Sequence, residues 1–269
     1  MKSFSCCLCA VAFATLVVAA QSPGPTDQDR AAVRQAAYDY GEGYYEGAAD
    51  RMERAVHPAL IKRGVITRPG VGSLLVPMNA ETLVEATRQG GGKSMPPEKR
   101  NISFGLLDIR DDVASAKIFT AGFNDYLHLV KTDGRWRLVH VLWQPPSPTG
   151  VANAEADKTA VAQVLVDWND AIVAGDAARA ERLNHPEAAL RTFRASPPTG
   201  KYFLVEGNRD GLLAGIRLKS ARTAQDPKVT VLDVYDTIAS ALVTTSQGMS
   251  YWHLAKQDGQ WRVVNRLSR

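Results

Sequence analysis

Asp125 and His140 are the two side chains of this sequence best suited to moving a proton. If Asp133 and Gly134 form the turn of a β-hairpin, regular alternation puts Asp125 and His140 on one face, diagonally opposite each other. A carboxylate that orients an imidazole makes it a general base, able to remove a proton beside a carbonyl group. A phenol hydroxyl could then stabilise the oxyanion that forms. Four tyrosines lie close together earlier in the chain: Tyr38, Tyr40, Tyr44 and Tyr45.

The same residues also have a purely structural interpretation. An imidazole at position 140 can satisfy backbone groups, and tyrosines on a helix more often pack in a core than act on a substrate. A related segment near the C-terminus has Ser250 and Asn265 where the first segment has Asp125 and His140. The second segment therefore lacks this chemistry. For the first segment, a catalytic pair and a packing role both remain open.

These two segments belong to an internal repeat that runs through most of the chain. Residues 126–143 read YLHLVKTDGRWRLVHVLW, and residues 251–267 read YWHLAKQDGQWRVVNRL, 125 positions later. Further upstream, residues 29–58 match residues 157–186 at a spacing of 128. A repeat unit of about 120 residues has the size of a domain, so the pattern indicates a duplicated domain.

The duplication divides the chain into four predicted parts. Residues 1–20 form a leader, residues 27–144 the first domain, residues 145–152 a proline-containing linker, and residues 153–269 the second domain. The leader has the layout of a secretory signal peptide cleaved after Ala20, because a lysine precedes an apolar run that ends in small residues. That run is shorter than the roughly 20 residues that span a bilayer. The protein is therefore expected to be periplasmic or secreted, with no membrane attachment after cleavage.

Each copy begins with helices and ends with strands. Thr26 followed by Asp29 predicts a capping box at the start of the first helix. Four other residues are expected to begin or end helices: Gly47, Gly175, Asn79 and Asn208. The predicted strands of the first copy are residues 101–110, 113–120, 125–131 and 135–143, joined by Asp/Gly turns. This order indicates an α+β fold in which helices cover one face of a curved sheet.

The order of motifs resembles the nuclear transport factor 2-like superfamily. A long helix ends at Gly47, a short helix leads into His57-Pro58, and strands close with DYLHL at residues 125–129 and DGRWR at residues 133–137. Within the superfamily, the sequence is most similar to the group known as SnoaL-like or putative lumazine-binding. The resemblance covers both repeats and implies a cone-shaped antiparallel or mixed sheet, wrapped on about three helices around a pocket. Members range from ketosteroid isomerase and polyketide cyclases to modules that only bind or dimerise.

On this resemblance, the more apolar face of the first hairpin lines the pocket. That face carries Asp125, Leu127, Leu129, Trp136, Leu138, His140 and Leu142, and the other carries Tyr126, His128, Val130, Arg137, Val139, Val141 and Trp143. The residues expected to contact a ligand are Tyr38, Tyr40, Tyr44, Leu127 and Trp136, with Trp252 and Trp261 in the second copy. His128 and His253 recur on the opposite face and are expected to pack between the domains. This sheet-to-sheet packing would imitate a homodimer within one chain.

Composition excludes several kinds of site. All three cysteines lie in the leader, so the mature chain is expected to be free of disulfides, thiolate metal sites and a cysteine nucleophile. The five histidines lack the spacing of a metal motif, and no cofactor is expected. No basic run with interleaved aromatics favours nucleic acid. The glycine-rich segment at residues 90–97 is expected to be a loop beside the pocket mouth.

Three hypotheses for the function follow. The first is an exported protein that binds a small apolar or aromatic molecule in one or both pockets. The second is an isomerase, dehydratase or cyclase that uses Asp125, His140 and a helix tyrosine in the first domain. The third is a non-catalytic protein-interaction module, for which the interior of each cone would be filled by side chains.

Overall fold

The computed structural model describes residues 24–68, 70–147, 154–221, 223 and 226–269. We call the described residues up to 147 domain 1 and those from 154 onward domain 2. The predicted leader, its cleavage site and residues 148–152 of the predicted linker lie outside the described residues.

Domain 1 has three helices and six strands. Its elements are α1 (Asp27–Glu46), α2 (Ala49–Ala55), β1 (Val56–Arg68), β2 (Gly72–Asn79), α3 (Ala80–Arg88), a 3₁₀ turn (Pro97–Lys99), β3 (Ser103–Arg110), β4 (Val113–Phe119), β5 (Asn124–Thr132) and β6 (Arg135–Gln144). Domain 2 repeats them as α4 (Glu155–Ala174), α5 (Ala177–Leu183), β7 (Asn184–Ala195), β8 (Tyr202–Val205), α6 (Arg209–Arg217), β9 (Lys228–Tyr235), β10 (Ile238–Thr245), β11 (Gly248–Gln257) and β12 (Gln260–Ser268).

Each domain contains one six-stranded mixed sheet. The strand order is β2-β1-β6-β5-β4-β3 in domain 1 and β8-β7-β12-β11-β10-β9 in domain 2. β1 runs parallel to β6, and β7 runs parallel to β12, whereas the other neighbours are antiparallel. The predicted tandem α+β fold is confirmed. Within the described ranges, no helix has both the length and the apolar character that crossing a bilayer would need.

The helix boundaries follow from local hydrogen bonds that the sequence predicts. Thr26 Oγ1 accepts from the Asp29 backbone N–H at 3.1 Å, and the Asp29 carboxylate accepts from the Thr26 N–H at 3.1 Å, which completes the capping box. Gly47 and Gly175 end α1 and α4 with φ values of 64° and 72°, in the left-handed region that favours glycine. The predicted Asn79 and Asn208 caps of α3 and α6 are also present.

A β-bulge in β6 overturns the predicted hairpin faces. Leu129 pairs with Leu138, but His128 pairs with His140, so Val139 is an extra residue. From this point on, the side chains of β6 point to the face opposite to the one that simple alternation predicts. Thus Leu142 lies in the contact between the domains and Trp143 lies on the inner face, where the prediction had the reverse. Domain 2 has the same bulge in β12, where Leu254 pairs with Val263 and His253 pairs with Asn265, so Val264 is the extra residue.

The outer faces of the two sheets pack against each other. Two apolar clusters join the domains: Val113, Val130 and Val139 with Phe193, Leu242, Tyr251 and Leu267, and Val65, Tyr126 and Leu142 with Ile238, Ala255 and Val264. Matching residues of the two repeats make matching bonds across this contact. Tyr126 Oη donates to Asp233 Oδ2, and Tyr251 Oη donates to Asp108 Oδ2, each at 2.8 Å. The domains are therefore related by an approximate twofold axis.

Candidate functional site

Domain 1 encloses a cavity of about 270 Å³ between its helices and the inner face of its sheet. The helices contribute Tyr40, Tyr44, Tyr45, Leu83 and Ala86, the strands contribute Lys62, Met78 and Trp143, and loops contribute Gly91, Gly92, Ser94, Met95, Gly122 and Phe123. Most of this surface is aromatic or aliphatic. The glycine-rich segment expected beside the pocket mouth does form part of the wall.

A buried carboxylate, a phenol and an ammonium group meet at this cavity. The Tyr40 hydroxyl donates to Asp125 Oδ2, and Lys62 Nζ donates to the Tyr40 oxygen. Lys62 Nζ also lies 3.2 Å from Asp125 Oδ2. Asp125 is fully buried behind the wall, whereas Tyr40 and Lys62 border the cavity itself. A ligand would therefore meet the phenol and the ammonium group but not the carboxylate.

Burial works against the charged forms of all three groups. It raises the pKa of Asp125 above its ordinary value, although the charge of Lys62 and the two hydrogen bonds act in the opposite direction. Burial likewise lowers the pKa of Lys62, against the favourable charge of Asp125. Burial and the charge of Asp125 raise the pKa of Tyr40 well above its ordinary value. With Tyr40 neutral, the carboxylate and the ammonium cancel, and the set has no net charge.

Two parallel strands position the ammonium group against an aromatic ring. Lys62 on β1 and Trp143 on β6 belong to neighbouring strands, and Lys62 Nζ lies 4.9 Å from the Trp143 ring centroid. The face of an indole attracts a cation, so the ring helps to hold Lys62 in place. Gly64 pairs with Trp143, and a Cβ on Gly64 would lie 2.6 Å from the indole. Glycine is therefore needed at this position for Trp143 to lie close to β1.

The predicted pairing of Asp125 with His140 is wrong. Because of the bulge, His140 points to the outer face of the sheet, where its Nδ1 lies 3.2 Å from Nδ1 of His128. His128 in turn stacks on His253 of domain 2, with ring centroids 3.5 Å apart. All three rings are fully buried, and burial lowers the pKa of each, to about 3 for His253. His140 thus belongs to the contact between the domains, as do His128 and His253.

The other residues predicted to contact a ligand fall into two groups. Tyr40 and Tyr44 border the domain 1 cavity, and Trp252 borders a cavity in domain 2. Leu127 is buried in the domain 1 core, and Tyr38 packs beside Phe104, away from the cavity wall.

Trp136 and Trp261 have matching structural partners. Trp136 Nε1 donates to Asp29 Oδ1 at 3.1 Å, and Trp261 Nε1 donates to Asp157 Oδ1 at 3.0 Å. Each bond ties the last strand of a domain to the start of its first helix. Neither tryptophan borders the cavity between the helices and sheet of domain 1 or the cavity beside Trp252 in domain 2.

Domain 2 has a cavity of about 250 Å³ at the equivalent place. Its lining comprises Leu165, Trp168, Asn169, Thr223, Val243, Thr245, Gln247, Gly248, Met249, Ser250, Trp252, Arg266, Ser268 and Arg269. The polar share of the wall is larger than in domain 1. Among the described residues, no cluster of histidine, cysteine, aspartate and glutamate side chains is arranged to hold a metal ion.

Several cavity residues escaped the sequence-based prediction, among them Lys62, Trp143 and Arg266. Lys62 and its neighbour Arg63 interrupt the otherwise apolar residues of 59–66, and charged residues within a buried strand are a signal that could have been followed. The inward position of Trp143 and Arg266 depends on the bulges, which no residue type in the sequence marks.

The family follows from a comparison of sequences. The profile of a family described as "Putative lumazine-binding" matches residues 28–144 and again residues 156–268. The chain belongs to this family, in two tandem copies. The resemblance to nuclear transport factor 2-like proteins is thereby confirmed. A search of curated proteins finds no match.

Solved structures similar to this chain include two bacterial proteins of unknown function. An NTF-2 like protein from Silicibacter pomeroyi DSS-3 is 20% identical, with a TM-score of 0.35, and the match covers 43% of this chain and 96% of that one. An NTF2-like protein from Shewanella baltica OS155 is also 20% identical, with a TM-score of 0.34 and coverage of 44% and 95%. Each match thus spans less than half of this chain.

Proposed function

We propose that this chain is an exported small-molecule-binding protein whose domain 1 cavity takes a compact aromatic or apolar ligand with one hydrogen-bonding group. Membership of the lumazine-binding family supports ligand binding in general. Export rests on the signal-peptide pattern of residues 1–20. The observation that carries the proposal is the position of Lys62 Nζ, at the wall of an otherwise largely apolar cavity.

The cavity wall suits a flat, uncharged molecule. The rings of Tyr40, Tyr44, Phe123 and Trp143 border the space, and aromatic faces favour stacking with a planar partner. Lys62 is already neutralised by Asp125, so the site has no excess charge to attract an ion. Pockets of this kind use a few polar groups to orient a ligand that apolar contacts hold. The family name points to a heteroaromatic compound, although we do not take lumazine itself as the ligand.

Native mass spectrometry of the chain, purified from the organism that produces it, tests the proposal directly. We expect a retained small molecule, and its loss in an Ala86→Phe variant, because Ala86 borders the cavity from α3 and a phenyl ring would occupy the space. Thr82→Phe is the matched control, since Thr82 is exposed on the same helix and does not border the cavity. Retention of the same molecule by Ala86→Phe would contradict a site in this cavity. A chain without any retained molecule would favour the interaction-module hypothesis.

One observation favours an enzyme as the second candidate. The Tyr40 hydroxyl is hydrogen-bonded to both an acid and an ammonium group beside the cavity. Such a series of hydrogen bonds can relay a proton. In this form of the enzyme hypothesis, Tyr40 rather than His140 is the group that contacts the substrate. A Tyr40→Phe variant distinguishes the two candidates, because it should abolish turnover of any substrate found but reduce ligand affinity only modestly. His140→Ala should leave the pH dependence of turnover unchanged.

A further inference from the structure

Arg266 borders the domain 2 cavity, and no acidic group of the described residues lies within ion-pair distance of it, although Glu187, Glu206 and Asp210 line a neighbouring cavity that Arg266 also borders. It lies on β12, and its Cζ lies 5.5 Å from the Trp168 ring centroid and 5.8 Å from the Trp252 ring centroid. The two indoles lie edge to face, 4.8 Å apart. Among the described residues, Arg266 makes no ion pair, and its Nε has no hydrogen-bond partner.

The rest of the cavity wall does not compensate this charge. None of the described residues that line the cavity is acidic. The other cation, Arg269, is engaged outside the cavity, where Nη2 donates to Asp112 Oδ2 at 3.1 Å and Nε lies 3.6 Å from Asp111. Burial lowers the pKa of Arg266 to about 10, because the charged guanidinium is poorly solvated here. A bound anion would relieve this cost.

The shape and exposure of the cavity fit a small flat occupant. Its volume of about 250 Å³ falls slightly below the range of about 300–1,000 Å³ that is usual for drug-sized ligands. Trp168 and Trp252 form aromatic surfaces beside the guanidinium. Gln247 and Gly248 are exposed, so the cavity opens to solvent at the turn between β10 and β11. A guanidinium binds a carboxylate through two parallel hydrogen bonds, which suits a planar acid.

We infer that the domain 2 cavity is a second ligand site, selective for a planar organic anion such as an aromatic carboxylate. The inference shares with the proposed function only the premise that the chain binds small molecules. Its site, its cation and its ligand class are separate from those of domain 1. The two sites can therefore be tested, and can fail, independently.

The five tryptophans of the chain make the test specific. Trp168 and Trp252 border the domain 2 cavity, Trp143 borders the domain 1 cavity, and Trp136 and Trp261 border neither. Titration with 2-naphthoate, followed by the indole N–H signals in ¹H–¹⁵N NMR spectra, should shift Trp168 and Trp252 and leave Trp136 and Trp261 in place. The uncharged isostere 2-naphthamide should bind to the same site at least tenfold more weakly.

Variants of Arg266 then test the source of the selectivity. Arg266→Met should bring the affinities for naphthoate and naphthamide to within a factor of two, whereas Arg266→Lys should retain part of the preference. Arg262→Met is the matched control, because it removes a cation from the same strand outside the cavity, and it should keep the full preference. If Arg266→Met fails to fold, the affinities for naphthoate and naphthamide can still be compared between the unaltered chain and Arg266→Lys. A smaller preference for naphthoate in Arg266→Lys would support the inference, and an unchanged preference would contradict it.

Three outcomes would overturn the inference. The unaltered chain could bind both probes equally, Arg266→Met could keep the preference for the acid, or naphthoate could shift only the Trp143 signal. The last outcome would place the probe in domain 1 and remove the second site, and it would also contradict the preference of the domain 1 cavity for an uncharged ligand. Shifts at Trp168 and Trp252 without a response of Trp143 would support the second site alone.

Discussion

The two cavities occupy equivalent places in two copies of one fold, yet they hold a cation in opposite ways. Equivalent positions carry Tyr40 and Trp168, Lys62 and Leu190, Asp125 and Ser250, and Val141 and Arg266. In domain 1 the cation has a buried carboxylate 3.2 Å away and the set is neutral. In domain 2 the cation lies on the neighbouring strand, faces two indoles and has no acid partner among the described residues. On the two proposals made above, the scaffold fixes where a ligand would bind, while the position of one charge would select its class.

The largest expected difference between the domains concerns Asp125. Asp125→Ala leaves Lys62 buried without its anion and removes the acceptor of the Tyr40 hydroxyl, which should lower the free energy of unfolding by about 3–5 kcal/mol. The equivalent change, Ser250→Ala, removes only the acceptor of the Trp252 indole and should cost about 1 kcal/mol. Denaturant unfolding of both variants measures the difference. Equal losses would show that Lys62 and Asp125 are not a buried pair.

The contact between the domains should make stability depend on pH. The histidines at 128, 140 and 253 have pKa values lowered by burial from the ordinary 6.5, and the charges of Arg63 and Arg191 lower that of His140 further. Below pH 6.5 the unfolded chain therefore binds protons that the folded chain does not, so stability falls as the pH falls and is unaffected above that range. Each such histidine costs about 2 kcal/mol between pH 7 and pH 5.

His140→Asn gives domain 1 the residue that domain 2 has at the equivalent position 265. It should remove about 2 kcal/mol of this pH-dependent loss, because an amide does not titrate in this range. Urea unfolding of both proteins at pH 7 and pH 5 provides the measurement. An undiminished loss at pH 5 in the variant would mean that His140 is protonated in the folded chain.

Gly64 and Thr192 offer a comparison of the first strand in each domain. Gly64→Ala puts a Cβ 2.6 Å from the Trp143 indole, and overpacking of this kind should cost about 1.5 kcal/mol and shift the Trp143 indole signal. Thr192→Ala removes one hydrogen bond to Ser268, 3.0 Å long, and should cost less than about 1 kcal/mol. An unshifted Trp143 signal in Gly64→Ala would contradict the close approach of the ring to β1.

The smallest expected difference concerns the two tryptophans that join strands to helices. Trp136→Phe and Trp261→Phe each remove a hydrogen bond to a carboxylate near a helix N-terminus, that of Asp29 or Asp157. Each should cost about 1.5 kcal/mol, with nearly equal values in the two domains. Thermal unfolding of the single variants compares them. A large difference between the two losses of stability would show that one of the two tryptophans has a further role.

Local signals in the sequence were sufficient to predict the scaffold. The Thr26 capping box and the left-handed glycines at 47 and 175 depend only on neighbouring residues. Local sequence patterns are therefore enough to predict these helix ends. The duplication was equally visible, because the Asp-Gly turns and the tryptophans that follow them recur at a fixed spacing. The fold thus followed from short-range rules and from repetition.

The arrangement of the site could not be predicted in the same way. Alternation specifies which face of a strand is buried only when the other face is polar. In β6 both faces are covered, one by the helices and one by the other domain, so an extra residue at Val139 leaves no mark in the hydrophobic pattern. Because of this extra residue, His140 points to the outer face of the sheet and Asp125 to the inner face. The true partner of Asp125, Lys62, is 63 positions away on a parallel neighbour of β6.

The stacked His128 and His253 lie close to the approximate twofold axis, and that position has a consequence for how the chain can change. In a homodimer every substitution appears twice, and a residue near the axis meets its own copy. Here a linker keeps the halves at a high effective concentration, so their association does not require identical surfaces. His140 can therefore differ from Asn265, and Asp125 from Ser250, without a compensating change in the other half. Covalent fusion makes each position independent, and two cavities of different charge become possible on one folded unit.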